Sequence, residues 1–411
     1  MNTTTRHERP LRILFVAQAV SIHTARWIAQ LRDESWDLHL FDMLGSFPHA
    51  ELGGITEYSL LFPRKIAATS RKPSYGHPFF LSRGWDPFPL SVAGFFLRRI
   101  FRRRTSRLAN LILRLQPDII HSMELQTESY HVLDAARMLG GRFGAPWIVT
   151  TWGSDIFYYQ RFPEHLDRIK ELLQKCDYLI PDCSRDVALA RDFGFAGEVP
   201  LVLPGSGGYP VAEMRRLIRD GNPSTRRVIV VKGYEGWAGR ALTAITALEA
   251  CADLLHEYEI VVYAASPEVL TRLSLLRERR RLRIRALPRS PHRTMLELFG
   301  RSRIALAVNV TDGVPNSMLE AMTMGAFPIQ SDTQSTAEWI KDGVNGLLVD
   351  PNDPASVATA LSRALHDNGL IEAAAIHNLK QVSERLDLAS IRPRVIEMYR
   401  TIATRRENQR S

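Results

Sequence analysis

At 411 residues the chain exceeds what one hydrophobic core serves, so two domains of roughly 200 residues each are expected. A composition of 45% hydrophobic and 24% charged residues excludes a disordered or fibrous protein, and three cysteines are too few for a disulfide framework. The formal charge of +9, from 53 Lys and Arg against 44 Asp and Glu, favours an anionic partner: a sugar nucleotide, an acidic lipid surface or a nucleic acid.

No apolar run approaches the roughly 20 residues that cross a bilayer, and the stretch from Met1 to Pro10 is polar with no apolar segment behind it. A cytoplasmic protein is therefore expected. Cys176, Cys183 and Cys251 read as buried thiols, because none has a Cys or His neighbour at metal-ligand spacing.

In chain order, Leu11 to Ala17 reads as a buried strand and Ile22 to Leu31 as the helix after it. Further strands are expected at Leu38 to Asp42, Ile119 to Ser122, Pro146 to Thr151, Tyr178 to Pro181 and Val199 to Leu203. Between Asp42 and Ile119 lies a basic stretch, Phe95 to Leu113. It mixes Arg98, Arg99, Arg102, Arg103, Arg104 and Arg107 with apolar residues and contains no acid. At helical spacing Leu97, Ile100 and Phe101 share a face with Leu108 and Leu111. Such a helix can lie on anionic lipid headgroups, each arginine adding about 1 kcal/mol, or can pack on the sheet with a solvated arginine face. No nucleic-acid-binding signature accompanies the charge, so nucleic acid is not expected as a partner.

Pro204 to Ser224 breaks the periodicity with Gly205, Gly207, Gly208 and Pro210, and is read as the domain boundary. Gly205 to Gly208 lacks a full dinucleotide fingerprint and is read as a hinge. A second alternating series follows: strands at Val228 to Val231, Glu259 to Ala264, Arg283 to Ala286, Ile304 to Val308, Phe327 to Ser331 and Gly346 to Val349, with a helix at Ala241 to Leu255. Two helices, Pro354 to Asp367 and Ile391 to Thr404, end the chain. Strands alternating with helices imply parallel sheets covered on both faces, which bind ligands beyond the carboxyl ends of their strands.

The most informative stretch joins two of these strands. Asp312, Gly313, Val314, Pro315, Asn316, Ser317 and Glu320 form a loop running into a helix that starts near Asn316 and ends before Gly325. Pro315 costs nothing in a first helical turn, and Gly325 suits the position past a helix end where positive φ is needed. The free N–H groups and the dipole of such a start attract phosphate. Asp312 and Glu320 flank that place, where each carboxylate can accept two hydrogen bonds from a vicinal diol, or else cap the turn and face solvent. Lys232 at the end of its strand and Arg240 after the loop from Gly233 to Gly239 are placed to meet a diphosphate.

The stretch from Asp312 to Ser331, with Glu338 and Asp342 to Pro351, resembles the C-terminal half of glycosyltransferase family 4 (group 1 glycosyltransferases). That family shows two glutamates with seven residues between them and a later Gly-x-x-Gly-Leu-Leu-Val tract. Here Asp312 replaces the first Glu, reaching about one methylene less far, and Ala337 stands where Pro commonly precedes Glu338. A weaker resemblance covers the first half through His23 and its neighbours, Pro117 to His121, and Trp152 to Asp155. Trp152 stands where family members often have His, so the role of that His is not carried over, whereas that of Asp155 is.

The resemblance implies an α/β GT-B fold, with two Rossmann-like doubly wound parallel sheets facing a central cleft. Residues 1–205 would bind the acceptor, 206–385 the nucleotide sugar, and a helix at 386–411 would return to the first domain. It implies a retaining, metal-independent glycosyltransferase moving a sugar from a nucleoside-diphosphate sugar to a hydroxyl of a glycan or lipid-linked saccharide, with no cofactor. Asp155, Lys232, Arg240 and Asp312 would be catalytic. Gly313, Val314, Pro315, Asn316, Ser317 and Glu320 would join Lys232 and Arg240 around the donor, and His23, Glu124 and Gln126 are acceptor-side candidates. A peripheral association with anionic membrane through Arg98 to Arg107 would suit a lipid-linked acceptor. Two alternatives stay open: a GT-B protein that binds sugar nucleotides or glycans without turnover, and a sugar-nucleotide epimerase.

Overall fold

The computed structural model describes residues 9–43, 47–58, 63–66, 104–141, 143–218, 221–333 and 335–410. They form two compact units: residues 1–182, 186–207 and 392–411 make unit 1, and residues 183–185 and 208–391 make unit 2. Each unit is built on its own sheet.

Short β-branched and aliphatic runs make the strands of unit 1: β1 (Arg12–Ala17), β2 (Asp37–Asp42), β3 (Ile55–Tyr58), β4 (Pro63–Ile66), β5 (Ile119–Met123), β6 (Trp147–Thr150) and β7 (Tyr178–Ile180). Their order is β4-β3-β2-β1-β5-β6-β7, all parallel except the edge strand β4, which runs antiparallel to β3. The central strands β1 and β5 pair in register through Ile13 with Ile119 and Val16 with Ser122, and every residue of β5 is buried. That is why they read as unbroken apolar runs.

Val199 to Leu203 is not a strand. Pro200 lacks an N–H and Pro204 closes the run, so beside β7 there are the isolated bridge between Tyr178 and Glu198, just before the segment, and the Leu203 N–H donating to the Pro181 carbonyl at 3.0 Å, but no ladder.

In unit 2, β8 (Val228–Lys232), β9 (Glu259–Tyr263), β10 (Arg283–Leu287), β11 (Ser302–Ala307), β12 (Phe327–Ser331) and β13 (Leu347–Val349) form a wholly parallel sheet in the order β10-β9-β8-β11-β12-β13. Both sheets reverse direction of growth once, between β1 and β5 and between β8 and β11. This is the doubly wound arrangement, and its switch points are where such folds bind ligands. Each sheet is sandwiched in its own core, including Leu14, Val16, Ile120 and Val149 in unit 1 and Ile229, Val231, Ile304 and Ile329 in unit 2.

The chain ends in three helices, Pro354–His366, Asn368–Leu386 and Leu388–Arg410, the middle one absent from the sequence reading. The last helix belongs to unit 1 from Arg392 onward. There its Tyr399 sits edge-on to Phe15 and Trp36 and bonds through its hydroxyl to Trp27 and His121, all within one aromatic cluster. Of the basic stretch, Phe95 to Arg103 lie outside the described residues. The remainder, residues 104–115, is helical: Leu108, Leu111 and Ile112 are buried in the unit 1 core, and Arg104 turns inward to donate to the Met43 carbonyl.

Candidate functional sites at the two switch points

In unit 2 the switch point gathers the ends of β8 and β11. Val231 pairs with Leu306, so Lys232 leaves the sheet beside the chain that runs from Ala307 to Asp312. Lys232 Nζ stands 3.7 Å from Asp312 Oδ2, and both side chains are about a quarter exposed (23% and 27%). At that separation and exposure the pair contributes about 0–1 kcal/mol, so exchanging it for ligand contacts costs little. Asp312 Oδ1 also accepts from the Gly313 N–H at 3.0 Å, while the Gly313 carbonyl accepts from Ser335 Oγ at 2.7 Å. The loop is thus held by its own backbone, with one carboxylate oxygen turned toward lysine.

The following helix, Asn316–Thr323, starts where expected, although Pro315 is its N-cap rather than its first residue, and no side chain caps it. At its start the Met318 N–H donates to the Pro315 carbonyl at 3.0 Å, so the turn is closed by backbone alone. The Asn316 side chain accepts from the Tyr209 hydroxyl. The helix stops at Gly325, whose φ of 81° is the left-handed conformation that a helix end requires.

Glu320, one turn in, does not point to solvent. It is 7% exposed, and its Oε1 lies 2.7 Å from His292 Nε2, at the start of the helix His292–Arg301. Tyr263, at the end of β9, interacts with Ser317, and burial pushes its phenol well above the ordinary range, so it is a neutral hydroxyl here. Neither His292 nor Tyr263 is marked by local sequence.

The glycine-rich loop from Gly233 to Gly239 is tightly folded. A side chain at Gly239 would start 2.0 Å from the Tyr234 carbonyl oxygen, and one at Gly233 would meet Val262 at 2.6 Å, so both positions require glycine. Arg240 is the N-cap of the helix Ala241–Ala250, and its guanidinium folds back onto the carbonyls of Gly236 (2.9 Å) and Gly239 (2.7 Å). Glu235, not singled out in the sequence, accepts from Leu242 N–H at 2.8 Å and so occupies the anion position at that helix start.

At the unit 1 switch point, β5 ends and Glu124 follows with φ 86° and ψ 143°, a conformation that costs a non-glycine residue about 1–3 kcal/mol. A single π-helical turn, Leu125–Ser129, continues from it. The Glu124 carboxylate accepts from the N–H groups of Gln126 (3.1 Å) and Thr127 (2.9 Å), which holds the strained turn. Asp155, 3% exposed, accepts from Leu125 N–H at 3.1 Å, and Gln126 Nε2 donates to the Asp155 carbonyl at 2.7 Å. Burial, reinforced by the neighbouring Glu124 charge, raises the Asp155 carboxyl well above its usual range. The structure therefore joins Glu124, Gln126 and Asp155 in one constellation.

Glu128 belongs to the same group, and its helical-looking context hid it in the sequence. It is fully buried, with its carboxyl directed at Glu124 and Gln18. His23, whose own N–H is capped by Ser21 Oγ at 3.2 Å, lies ring to ring with Trp152 at 5.1 Å. Trp152 in turn packs on Gly205, where an added side chain would stand 2.4 Å from the indole.

Among the described residues no cluster of three or more His, Cys, Asp or Glu side chains is arranged to hold a metal ion, and no helix is long and apolar enough to cross a membrane.

Residues 95–182 match the family model described as glycosyl transferase 4-like, and residues 237–367 match that of glycosyl transferases group 1. No curated protein sequence matches the chain. Among solved structures, HepE from Anabaena in complex with UDP and glucose is 13% identical, with a TM-score of 0.66 over 95% of this chain and 100% of its own. A sucrose-phosphate synthase from Thermosynechococcus elongatus is 15% identical with a TM-score of 0.67 over 96% and 99%. A UDP-forming trehalose-phosphate synthase from Burkholderia xenovorans is 16% identical with a TM-score of 0.66 over 96% and 99%. With a group 1 segment on one doubly wound sheet and a 4-like segment on the other, the chain is a glycosyltransferase of the GT-B type.

Proposed function

We propose that the protein transfers a sugar, with retention of anomeric configuration, from a nucleoside-diphosphate sugar to a hydroxyl of a glycan or lipid-linked saccharide. The observation that carries this reading is the unit 2 switch point: a helix start without a side-chain cap beside Lys232, flanked by Asp312 and by a buried Glu320 held by His292. The diphosphate lies against Lys232, Arg240 and the turn from Gly313 to Ser317 at the helix start. Arg240 exchanges its bonds to the Gly236 and Gly239 carbonyls for phosphate oxygens. Glu320 accepts from the ribose hydroxyls, and Asp312 from those of the donor sugar. UDP is the favoured nucleotide, because a solved neighbour of this fold binds UDP and glucose.

In the step itself, the bond from the anomeric carbon to the diphosphate oxygen breaks and a bond to the acceptor oxygen forms on the same face. The acceptor proton passes to the departing phosphate. Cations and N–H dipoles stabilise that leaving group without a metal. His23, Glu124, Gln126 and Asp155 are the acceptor-side groups, and the arginines from Arg98 to Arg107 other than the inward-turned Arg104 provide contact with an anionic membrane that carries a lipid-linked acceptor.

Turnover undiminished in EDTA, with a product of retained configuration by anomeric NMR, is expected. An inverted product, or nucleotide-sugar binding without release of nucleotide under any acceptor, would replace this mechanism with an inverting transferase or a binding protein. A changed sugar nucleotide without acceptor would point to an epimerase.

A further inference from the structure

Positive charge is spread unevenly along the chain. Residues 270–293 hold nine arginines and one acid, Glu278, a formal +8 that nearly equals the +9 of the whole protein. The segment follows the helix Pro267–Arg280, passes through β10, the edge strand of the unit 2 sheet, and reaches the start of the helix His292–Arg301. These arginines therefore line one border of unit 2.

Four of the nine are engaged. Arg272 pairs with Glu249 at 2.5 Å, Arg285 with Glu259 at 2.5 Å and Arg293 with Glu297 at 3.2 Å, and Arg283 donates to the Glu257 carbonyl at 2.6 Å. Arg277, Arg279, Arg280, Arg281 and Arg289 are exposed, and among the described residues no acid pairs with them. The fold does not call for so many. One or two cations in the last turn satisfy a helix C-terminus, and Arg283 and Arg285 already guard the open edge of β10. The surplus is kept at a cost. Arg277 and Arg280 are like charges three residues apart on one helix face, and Arg281 stands at φ 53° and ψ 34°, the left-handed position past a helix end that glycine takes with least strain.

Apolar side chains accompany this charge. Leu270 and Leu275 are 43% and 40% exposed, and at helical spacing Leu270 shares a face with Arg277 and Leu275 with Arg279. The segment has no Phe, Trp or Tyr on which a nucleic-acid base would stack. A polyanionic glycan would engage the arginines and leave the exposed leucines without a role, whereas a lipid surface uses both, phosphates for the guanidinium groups and the headgroup level for the leucines.

We propose that this border of unit 2 docks on an anionic phospholipid membrane. The surface belongs to the donor unit, is distinct from the arginines of unit 1, and depends on neither the donor site nor the transfer reaction.

The test is sedimentation of the full chain with phosphatidylglycerol–phosphatidylcholine vesicles at about 0.1 M salt, with pure phosphatidylcholine vesicles as the neutral comparison. The wild type is expected to bind the anionic vesicles and not the neutral ones. Combined Arg277→Gln, Arg279→Gln, Arg280→Gln and Arg281→Gln is expected to weaken that binding at least about tenfold, and Leu270→Ser with Leu275→Ser to weaken it while leaving retention on heparin unchanged. Arg281→Gly separates surface from fold: it keeps or raises the thermal midpoint by relieving the left-handed strain, while vesicle binding falls about fivefold. Equal vesicle binding by the wild type and the four-arginine variant, or by the wild type and the leucine variant, would overturn the proposal. Tighter binding to duplex RNA than to the anionic vesicles would also overturn it, assigning the surface to nucleic acid. UDP binding measured on the same samples keeps the two readings apart, since its absence refutes the donor site alone and vesicle binding that ignores these arginines refutes this surface alone.

Discussion

Removing one oxygen from the last helix is expected to destabilise unit 1 by an amount that can be worked out from its contacts. The Tyr399 hydroxyl accepts from Trp27 Nε1 at 2.9 Å and lies 2.6 Å from His121 Nδ1, while His121 Nε2 lies 2.6 Å from Thr150 Oγ1. Tyr399, Trp27, His121 and Thr150 are all fully buried. Burial depresses the His121 pKa to about 3, so the ring is neutral. It then accepts at Nδ1 from the tyrosine hydroxyl and donates at Nε2 to Thr150.

Tyr399→Phe fills nearly the same volume but strands the indole N–H and the imidazole Nδ1 in a site closed to water. At about 1–3 kcal/mol for each of the two buried groups left without a partner, the loss is about 2–6 kcal/mol. Urea unfolding followed by fluorescence should show the transition of unit 1 moving to lower denaturant while that of unit 2 stays in place. A loss below about 1 kcal/mol would refute the assigned hydrogen-bond network.

Other outcomes follow from the same geometry. The depressed folded pKa of His121 means that the unfolded chain binds a proton the native state refuses, so its contribution to stability falls by about 2 kcal/mol between pH 8 and pH 5. Correspondingly, its ring resonances should not titrate above pH 5 in NMR spectra. The Glu128 pKa is raised, which works in the opposite sense: the native carboxyl holds a proton that the unfolded chain releases as pH rises above about 4.5. Glu128→Gln should therefore stabilise the protein increasingly from pH 5 to pH 8 in thermal melts, and a constant difference across that range would contradict the buried acid. Gly325→Ala should cost about 1–2 kcal/mol in denaturant titrations, because φ is 81° there although an added methyl would make only ordinary contacts with Arg226 and Pro223. His292→Ala should weaken nucleotide-sugar affinity about tenfold by freeing Glu320 to rotate, and an unchanged Kd would remove His292 from the site.

Much of this architecture was legible because central strands of doubly wound sheets are buried on both faces. Ile229, Val230 and Val231, or Ile119 and Ile120, announce themselves as apolar runs without any partner being known. The edge was not legible. In β3 the residues alternate in burial, and the antiparallel β4 opens with Pro63, so neither carries the run that marks an interior strand. Val199 to Leu203 misled for the opposite reason, being apolar enough for a strand while its prolines deny the ladder.

In the candidate site, the turn from Asp312 to Glu320 was readable because Pro315 and Gly325 punctuate it locally. Its second layer was not. His292 reaches Glu320 from 28 residues away, through the packing of two helices. Glu128 faces Glu124 across a π-turn entered through a left-handed, non-helical Glu124 backbone, a local geometry that sequence periodicity does not register.

The central claim is that the unit 2 switch point holds a nucleoside diphosphate between Lys232 and Glu320. Calorimetric titration of UDP, GDP, ADP and their sugars into the wild type and Glu320→Ala tests it most directly. One nucleotide bound selectively, with affinity at least about tenfold weaker in the variant, is the predicted result. No binding across the panel, or equal binding by both proteins, would contradict it.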